Sequence, residues 1–254
     1  MMVRTLLVVS LVLALISIGG CITEREGGMG DPAAPEARVQ AQLDLARGYL
    51  EHSNTERARI ALNKALDIDS RSVEAHTLLA VLNEAEGENE LAERQFKAAL
   101  GIEPRNSQAL NNYGTFLYRQ GRYREAVDHL RVLVKDTGYR ARAQAYENLG
   151  LAELKVGDVD AARESFNRSL QLSFAQPQAS LELAQISYDE GNFEAASEYY
   201  DGFRSQARQT PRSLCLGMKL AKRSGDTDRM ASYALALNNL FPNSKEAHEC
   251  VVPK

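Results

Sequence analysis

The sequence predicts an all-α solenoid of six stacked hairpins, each made of two antiparallel helices. Three observations lead there. First, the turn-like stretches "HSNTERA", "AEGENELA", "RQGRYREA", "KVGDVDAA", "DEGNFEAA" and "RSGDTDRM" align on Ser53, Gly87, Gly121, Gly157, Gly191 and Gly225. Their spacings are 34, 34, 36, 34 and 34 residues. Second, small residues recur at fixed distances on both sides of these turns. Third, the chain is rich in Ala and Leu, lacks Trp and has only seven Pro among 254 residues, a balance that favours helices over sheets. A period of this size belongs to chains whose units bury their apolar faces on one another.

The hairpins follow in order. Repeat 1 places Ala46 seven residues before its turn, then Ala58 and Leu62 five and nine residues after it. The same places hold Ala80, Ala92 and Phe96 in repeat 2, Gly114, Ala126 and Leu130 in repeat 3, and Gly150, Ala162 and Phe166 in repeat 4. Repeat 5 has Ala184, Ala196 and Tyr200, whereas repeat 6 has Met218, Met230 and Ala234. Small residues let two helices cross closely, and the larger residue fills the space beside them. Glycine at the turn reaches backbone angles that are costly for residues with a Cβ. Pro104 and Pro242 stand between repeats, and Pro177 and Pro211 open helices, where proline is tolerated.

These residues resemble the tetratricopeptide repeat (TPR). The resemblance implies a right-handed superhelix of six repeats over residues 38–243, each with a helix A and a helix B. Repeat 3 is two residues long around "KDTGYRA", so the superhelix is expected to bend or loosen near Thr137 and Gly138. Met218 and Met230 at small-residue positions mark repeat 6 as a modified end unit, since a terminal repeat lacks one neighbour.

Ahead of the repeats, Arg4 precedes a run of thirteen mostly aliphatic residues from Leu6 to Ile18. That run is too short to cross a bilayer, which takes about 20 apolar residues, and suits the core of a secretory signal peptide. Ile18-Gly19-Gly20-Cys21 resembles the lipobox of bacterial lipoproteins. The resemblance implies a signal peptide over 1–20, acylation of Cys21 and, with Ile22 after the cysteine, outer-membrane sorting on the periplasmic side of a Gram-negative cell. Residues 21–37, rich in Gly, Pro, Ala and charge, read as a flexible tether. Residues 244–254 form a C-terminal tail.

Cys215 and Cys250 remain. The periplasm is oxidising, so the expectation is a bridge pinning the tail to the last repeat; the alternative is two unrelated thiols. No Cys-x-x-Cys pair suggests redox chemistry.

The net charge of −4 and pI near 5.7 argue against nucleic acid as partner. His52, His76, His129 and His248 lack the i, i+4 partner that a zinc helix needs. No phosphate-binding glycine loop, G-x-S-x-G elbow or dinucleotide fingerprint is present. The glutamates of "EAEGENELAE" read as a solvated face, and a hydrolase using Glu86, Glu88 and Glu90 is the alternative. The expectation is no catalytic residue, no metal and no cofactor.

In tetratricopeptide repeats the inner surface is lined by positions 2, 5, 9 and 12 of helix A. Counting from the small residue as position 8 nominates Leu43, Arg47 and Leu50, then Thr77, Val81 and Glu84. Asn111, Thr115 and Tyr118 follow, then Glu147, Leu151 and Leu154, then Leu181, Gln185 and Tyr188. Lys219 and Lys222 give the far end a basic rim. Leu and Tyr supply apolar anchors, while Asn can bond a peptide backbone.

Signal peptide, lipidation cysteine, short tether, six repeats and cysteine-bearing tail together resemble the PilF/PilW lipoproteins of type IV pilus biogenesis, as does "NNYGTFLYRQGRYREA". This resemblance implies a noncatalytic pilotin. It would bind one subunit of the outer-membrane pilus secretin and, through its lipid, carry it to the outer membrane for multimer assembly; one shared inner groove fits a monomer carrying one subunit. The alternative clients are outer-membrane protein assembly, a periplasmic protease or cell-wall synthesis.

Overall fold

The computed structural model describes residues 34–250, and every regular element among them is an α-helix. Six hairpins run in chain order. α1 (Pro35–Glu51) pairs with α2 (Thr55–Ile68), α3 (Val73–Ala85) with α4 (Asn89–Ile102), and α5 (Ser107–Arg119) with α6 (Tyr123–Leu133). Then α7 (Arg142–Val156) pairs with α8 (Val159–Leu172), α9 (Pro177–Asp189) with α10 (Phe193–Arg204), and α11 (Pro211–Ser224) with α12 (Thr227–Leu240). A short α13 (Lys245–Cys250) closes the described chain. Each hairpin also leans on the one before it, as a solenoid requires.

The turns fall where the period puts them. Gly87, Gly121, Gly157, Gly191 and Gly225 all take φ between 76° and 87°, and Ser53 joins them at 55°. Just after the turn, Asn54, Asp158, Asn192 and Asp226 accept the backbone N–H three residues on, capping their helix B. Tertiary packing then completes what the caps begin. Gly114 lies against Leu130 and Gly150 against Phe166, so closely that no Cβ fits between the crossing helices.

One expectation is corrected. The longer third repeat does not loosen the array. The extra residues lie in the connection after Leu133, and Arg142 donates from Nε to the Val134 carbonyl at 2.8 Å, closing the end of α6. One core cluster runs through this junction, from Ala80 and Phe96 to Leu149 and Ala152, with Tyr139 packed on it. In repeat 6 the close approach is to the preceding repeat, where Gly217 faces Tyr200. An added Cβ on Gly217 would collide with Tyr200 and press on Tyr233 at 3.0 Å. Met218 instead joins Leu214, Leu237 and Ala247 in the terminal core cluster. Ala234, sixteen residues after Met218, packs on that same cluster, so the crossing keeps the register of Gly114–Leu130 and Gly150–Phe166 with the sizes exchanged.

At the ends, α1 begins at Pro35, inside the stretch read as tether, and the tail contributes α13. Cys215 and Cys250 are joined by a disulfide, with Cα atoms 5.8 Å apart. Cys21 and the signal-peptide reading lie outside the described residues.

Candidate functional site

The inner face is built from one face of each helix A, and burial divides its positions into two classes. At position 5, Leu43, Thr77 and Leu181 are withdrawn from solvent, at 4%, 2% and 3% exposure. Leu43 belongs to the first core cluster, Leu181 to the cluster of repeats 5 and 6, and the Thr77 hydroxyl donates to the Val73 carbonyl at 2.8 Å. These three are packing residues rather than groove residues. The physical reason is that position 5 is covered when the next repeat stacks. Asn111 is the half-exposed exception.

Positions 9 and 12 carry the accessible surface. Arg47, Leu50, Val81, Thr115, Tyr118, Leu151, Leu154 and Tyr188 are all half-buried. Arg47 is not free, because it bridges Asp44 and Glu74. Tyr118 meets Tyr123 edge-on with centroids 5.3 Å apart, and Tyr188 meets Phe193 in the same way at 5.3 Å. Each pair spans a turn glycine, so the tyrosine ring is held at the lip by the first residue of helix B. Arg223 stacks over Phe193 at 4.4 Å. Lys219 and Lys222 are exposed at the far end.

The inner faces of distant repeats converge. Burial raises the Tyr118 hydroxyl above the usual phenol range, and the charges of Tyr123 and Glu182 add to the shift while Arg212 opposes it. Tyr118 is in repeat 3, Glu182 in repeat 5 and Arg212 in repeat 6, so the superhelix brings them within electrostatic reach. Arg212 grips Glu182 with two bonds of 2.5 and 2.7 Å, which hold the guanidinium above its ordinary range. Asn148 donates to Asn111 at 3.3 Å and accepts from Gln144 at the same distance, forming a carboxamide cluster across repeats 3 and 4.

Glu147, nominated for the groove, does other work. It is 6% exposed, and its Oε2 accepts the Ala179 N–H at 2.9 Å, at the start of α9. Gln176, the residue at the N-cap of α9, offers no side-chain bond there. The carboxylate of one repeat thus caps the first helix of the next, where the helix dipole favours negative charge. Neither this role nor the partners Tyr123 and Phe193 were read from the sequence. The aromatic pairs did have a signal, in "YRQGRY" and "YDEGNF". The capping role had none, since it depends on how two repeats stack.

Among the described residues no group of His, Cys, Asp or Glu could hold a metal. Glu86 is engaged by Arg59, whereas Glu88 and Glu90 are exposed beside the turn. What the site offers is a curved surface with tyrosine and aliphatic anchors among amides, suited to a polypeptide.

The tetratricopeptide-repeat profile matches four overlapping segments, residues 43–104, 84–146, 117–178 and 147–211. The type IV pilus assembly protein PilF of Pseudomonas aeruginosa is 42% identical over 239 residues, covering 93% of this chain and 94% of its own. The chain belongs to the TPR family of type IV pilus biogenesis proteins. A solved structure of Pseudomonas aeruginosa PilF superposes with a TM-score of 0.82 at 43% identity, over 85% of this chain and 97% of that one. The crystal structure of PilW, described as a widely conserved type IV pilus biogenesis factor, gives 0.72 at 27% identity, over 84% and 98%. For this family the inner face is the surface to test, because a repeat scaffold acts by holding proteins.

Proposed function

We propose that the protein is a noncatalytic pilotin: an outer-membrane lipoprotein that binds a subunit of the pilus secretin and promotes its localisation and assembly. The observation that carries the reading is the inner face of repeats 3 to 5, where Tyr118, Leu151, Leu154 and Tyr188 are held half-exposed around the Asn111–Asn148 pair. Rigid tyrosines and amides of this kind suit a peptide segment, the aromatic rings contributing apolar area and the amides bonding its backbone. Family membership supplies the pilus context.

Acylation of Cys21 would supply the address. Pro35 stands fourteen positions after Cys21, so even a fully extended tether holds the first repeat within about 50 Å of the bilayer. The mechanism needs no turnover: the groove holds the client while the lipid fixes both at the membrane.

The test is a crosslinked pull-down of the lipidated protein from outer membranes, beside a Tyr118→Ala/Tyr188→Ala variant. Secretin enriched by the parent and reduced at least tenfold by the variant is the expected result. Equal enrichment by both would remove the tyrosines from the site. Enrichment of barrel-assembly or wall-synthesis proteins without secretin would refute the pilotin reading. Cys21→Ser should move the folded protein out of the membrane fraction, and retention there would refute the anchor.

A further inference from the structure

The two ends of the solenoid match each other in a way that the inner face does not explain. In the interior junctions, helix A meets the previous repeat through an alanine or serine at position 3 and, in four of the five, a larger residue at position 7; in the fifth, Gly217 takes that place against Tyr200. Ala75, Ala109, Ala145, Ala179 and Ser213 are all fully buried at position 3. Leu79, Tyr113, Leu149 and Leu183 are at most 5% exposed at position 7. Helix α1 carries the same pair, Ala41 and Leu45, with no described repeat in front of it. Ala41 is exposed, and Leu45 is 49% exposed.

At the other end, α13 occupies the start of a seventh helix A. Ala247 lies 34 residues after Ser213, at position 3 of that next unit, and is 5% exposed against Leu214, Met218 and Leu237. α13 touches both α11 and α12, as α5 touches α3 and α4. Its six residues cover only part of the seat. Beside it a cleft of ≈ 440 Å³ is lined by Met218, Lys222, Met230, Ala231 and Ala234.

We propose that the ends are complementary, so that α1 of a second copy can take the seat of a seventh helix A, and that α13, tied to α11 by the Cys215–Cys250 bridge, holds that seat and keeps the protein monomeric. Charge supports this choice of occupant. Within the chain, Glu84 at position 12 binds Arg119 at position 13 of the next repeat, through two bonds of 2.7 Å. The terminal equivalents are Lys222 and Glu51, the same pair with its signs exchanged and both members exposed. On helix B, Arg131 reaches Glu153 of the next repeat at 2.9 Å. The terminal equivalents are Leu235, 63% exposed, and Tyr49, so an apolar pair replaces an ionic one. Such a contact is head-to-tail and does not close on itself, so an unblocked chain would grow into filaments.

The experiment compares the parent chain with a Cys215→Ser variant deleted for residues 245–254, using light scattering after size exclusion and far-UV circular dichroism to check helix content. The parent should be monomeric at 100 µM, whereas the deleted chain should at least double its mass over the same concentration range. Leu45→Arg in the deleted chain should return it to monomer. Glu51→Lys should do the same, and adding Lys222→Glu should restore association. If the deletion fails to fold, full-length Cys215→Ser/Cys250→Ser/Ala247→Arg displaces α13 without truncation and is read in the same way. A parent that already forms head-to-tail oligomers would overturn the blocking role of α13. A folded unblocked chain that stays monomeric, or one whose association survives Leu45→Arg, would overturn the complementarity.

Discussion

Gly150→Ala is the sharpest test of how the hairpins close. The new Cβ would stand 2.6, 2.8 and 2.9 Å from three atoms of the Phe166 ring, whereas carbon atoms in good contact lie about 3.5–4 Å apart. Phe166 is fully buried among Ala162, Ala179, Leu183 and Ile186 and has nowhere to retreat. Overpacking of this kind costs about 1–3 kcal/mol, against a gain of about 1 kcal/mol when alanine replaces glycine inside a helix. The net expectation is a loss of up to about 2 kcal/mol. Gly48→Ala is the control, because nothing lies within 4 Å of its added Cβ; it should stabilise by about 0.5–1 kcal/mol. Urea denaturation of both variants reads the difference as opposite shifts in midpoint at unchanged slope. Phe166→Leu added to Gly150→Ala should recover part of the loss. Repeat 2 shows how the reasoning could fail, since Ala80 and Phe96 share a fully buried crossing. If α7 and α8 can part to the same extent without cost, Gly150→Ala will follow Gly48→Ala, and close approach will not explain the glycine.

Three further outcomes can be measured. Ser53→Gly should raise stability by up to about 1 kcal/mol in urea denaturation, because Ser53 takes a left-handed angle that glycine adopts freely; a loss would show that the serine side chain matters more than its backbone. Glu147→Ala should cost about 1–2 kcal/mol, the usual worth of a cap, and should speed hydrogen exchange at the start of α9; unchanged protection at Ala179 would refute the capping role. Glu93 is held at about 2, first by its bond with Lys97 and then, against the cost of burial, by Arg122 and Tyr113. A carboxylate depressed in the folded state lends stability that is present above about pH 4.5 and fades as pH falls through about 2. Carboxyl-carbon NMR should place the Glu93 midpoint well below that of an exposed glutamate, and Arg122→Ala should raise it; a midpoint near 4.5 would refute the network.

The period carried most of the fold because each of its features has a local cause. A glycine seven residues after a small residue and five before another already specifies turn and crossing, and the five glycines with positive φ are the ones the alignment named. Repeat 6 kept the register but exchanged the residue sizes. Gly217 gave no signal, since alignment on the turn cannot see that Tyr200 of the preceding repeat comes so close. The inner face was legible as a list of positions but not as a list of exposed side chains. Spacing says which way Leu43, Thr77 and Leu181 point, and only the stacked neighbour decides that they are covered. Glu147 shows the same limit, because its partner is the backbone of another repeat.

That division between position 5 and positions 9 and 12 has a consequence for recognition. A residue sealed by the next repeat can set curvature but cannot discriminate between clients, so selectivity must come from the outer two positions and from Asn111, the one half-exposed residue at position 5. Along the chain these change character: Arg47 is spent on Asp44 and Glu74, Glu84 on Arg119, and Lys219 and Lys222 are exposed near the seat held by α13. Between those ends, Thr115, Tyr118, Leu151, Leu154 and Tyr188 form a stretch without ion pairs, flanked by bound charge on one side and basic charge on the other. A client segment that is apolar in the middle and acidic toward the repeat 6 end would satisfy this order. Its reverse would set its acidic end near Glu84 and its apolar middle against the same tyrosines. Affinity for a peptide and its charge-reversed counterpart therefore tests direction as well as binding, and Lys219→Glu/Lys222→Glu should narrow the difference between the two.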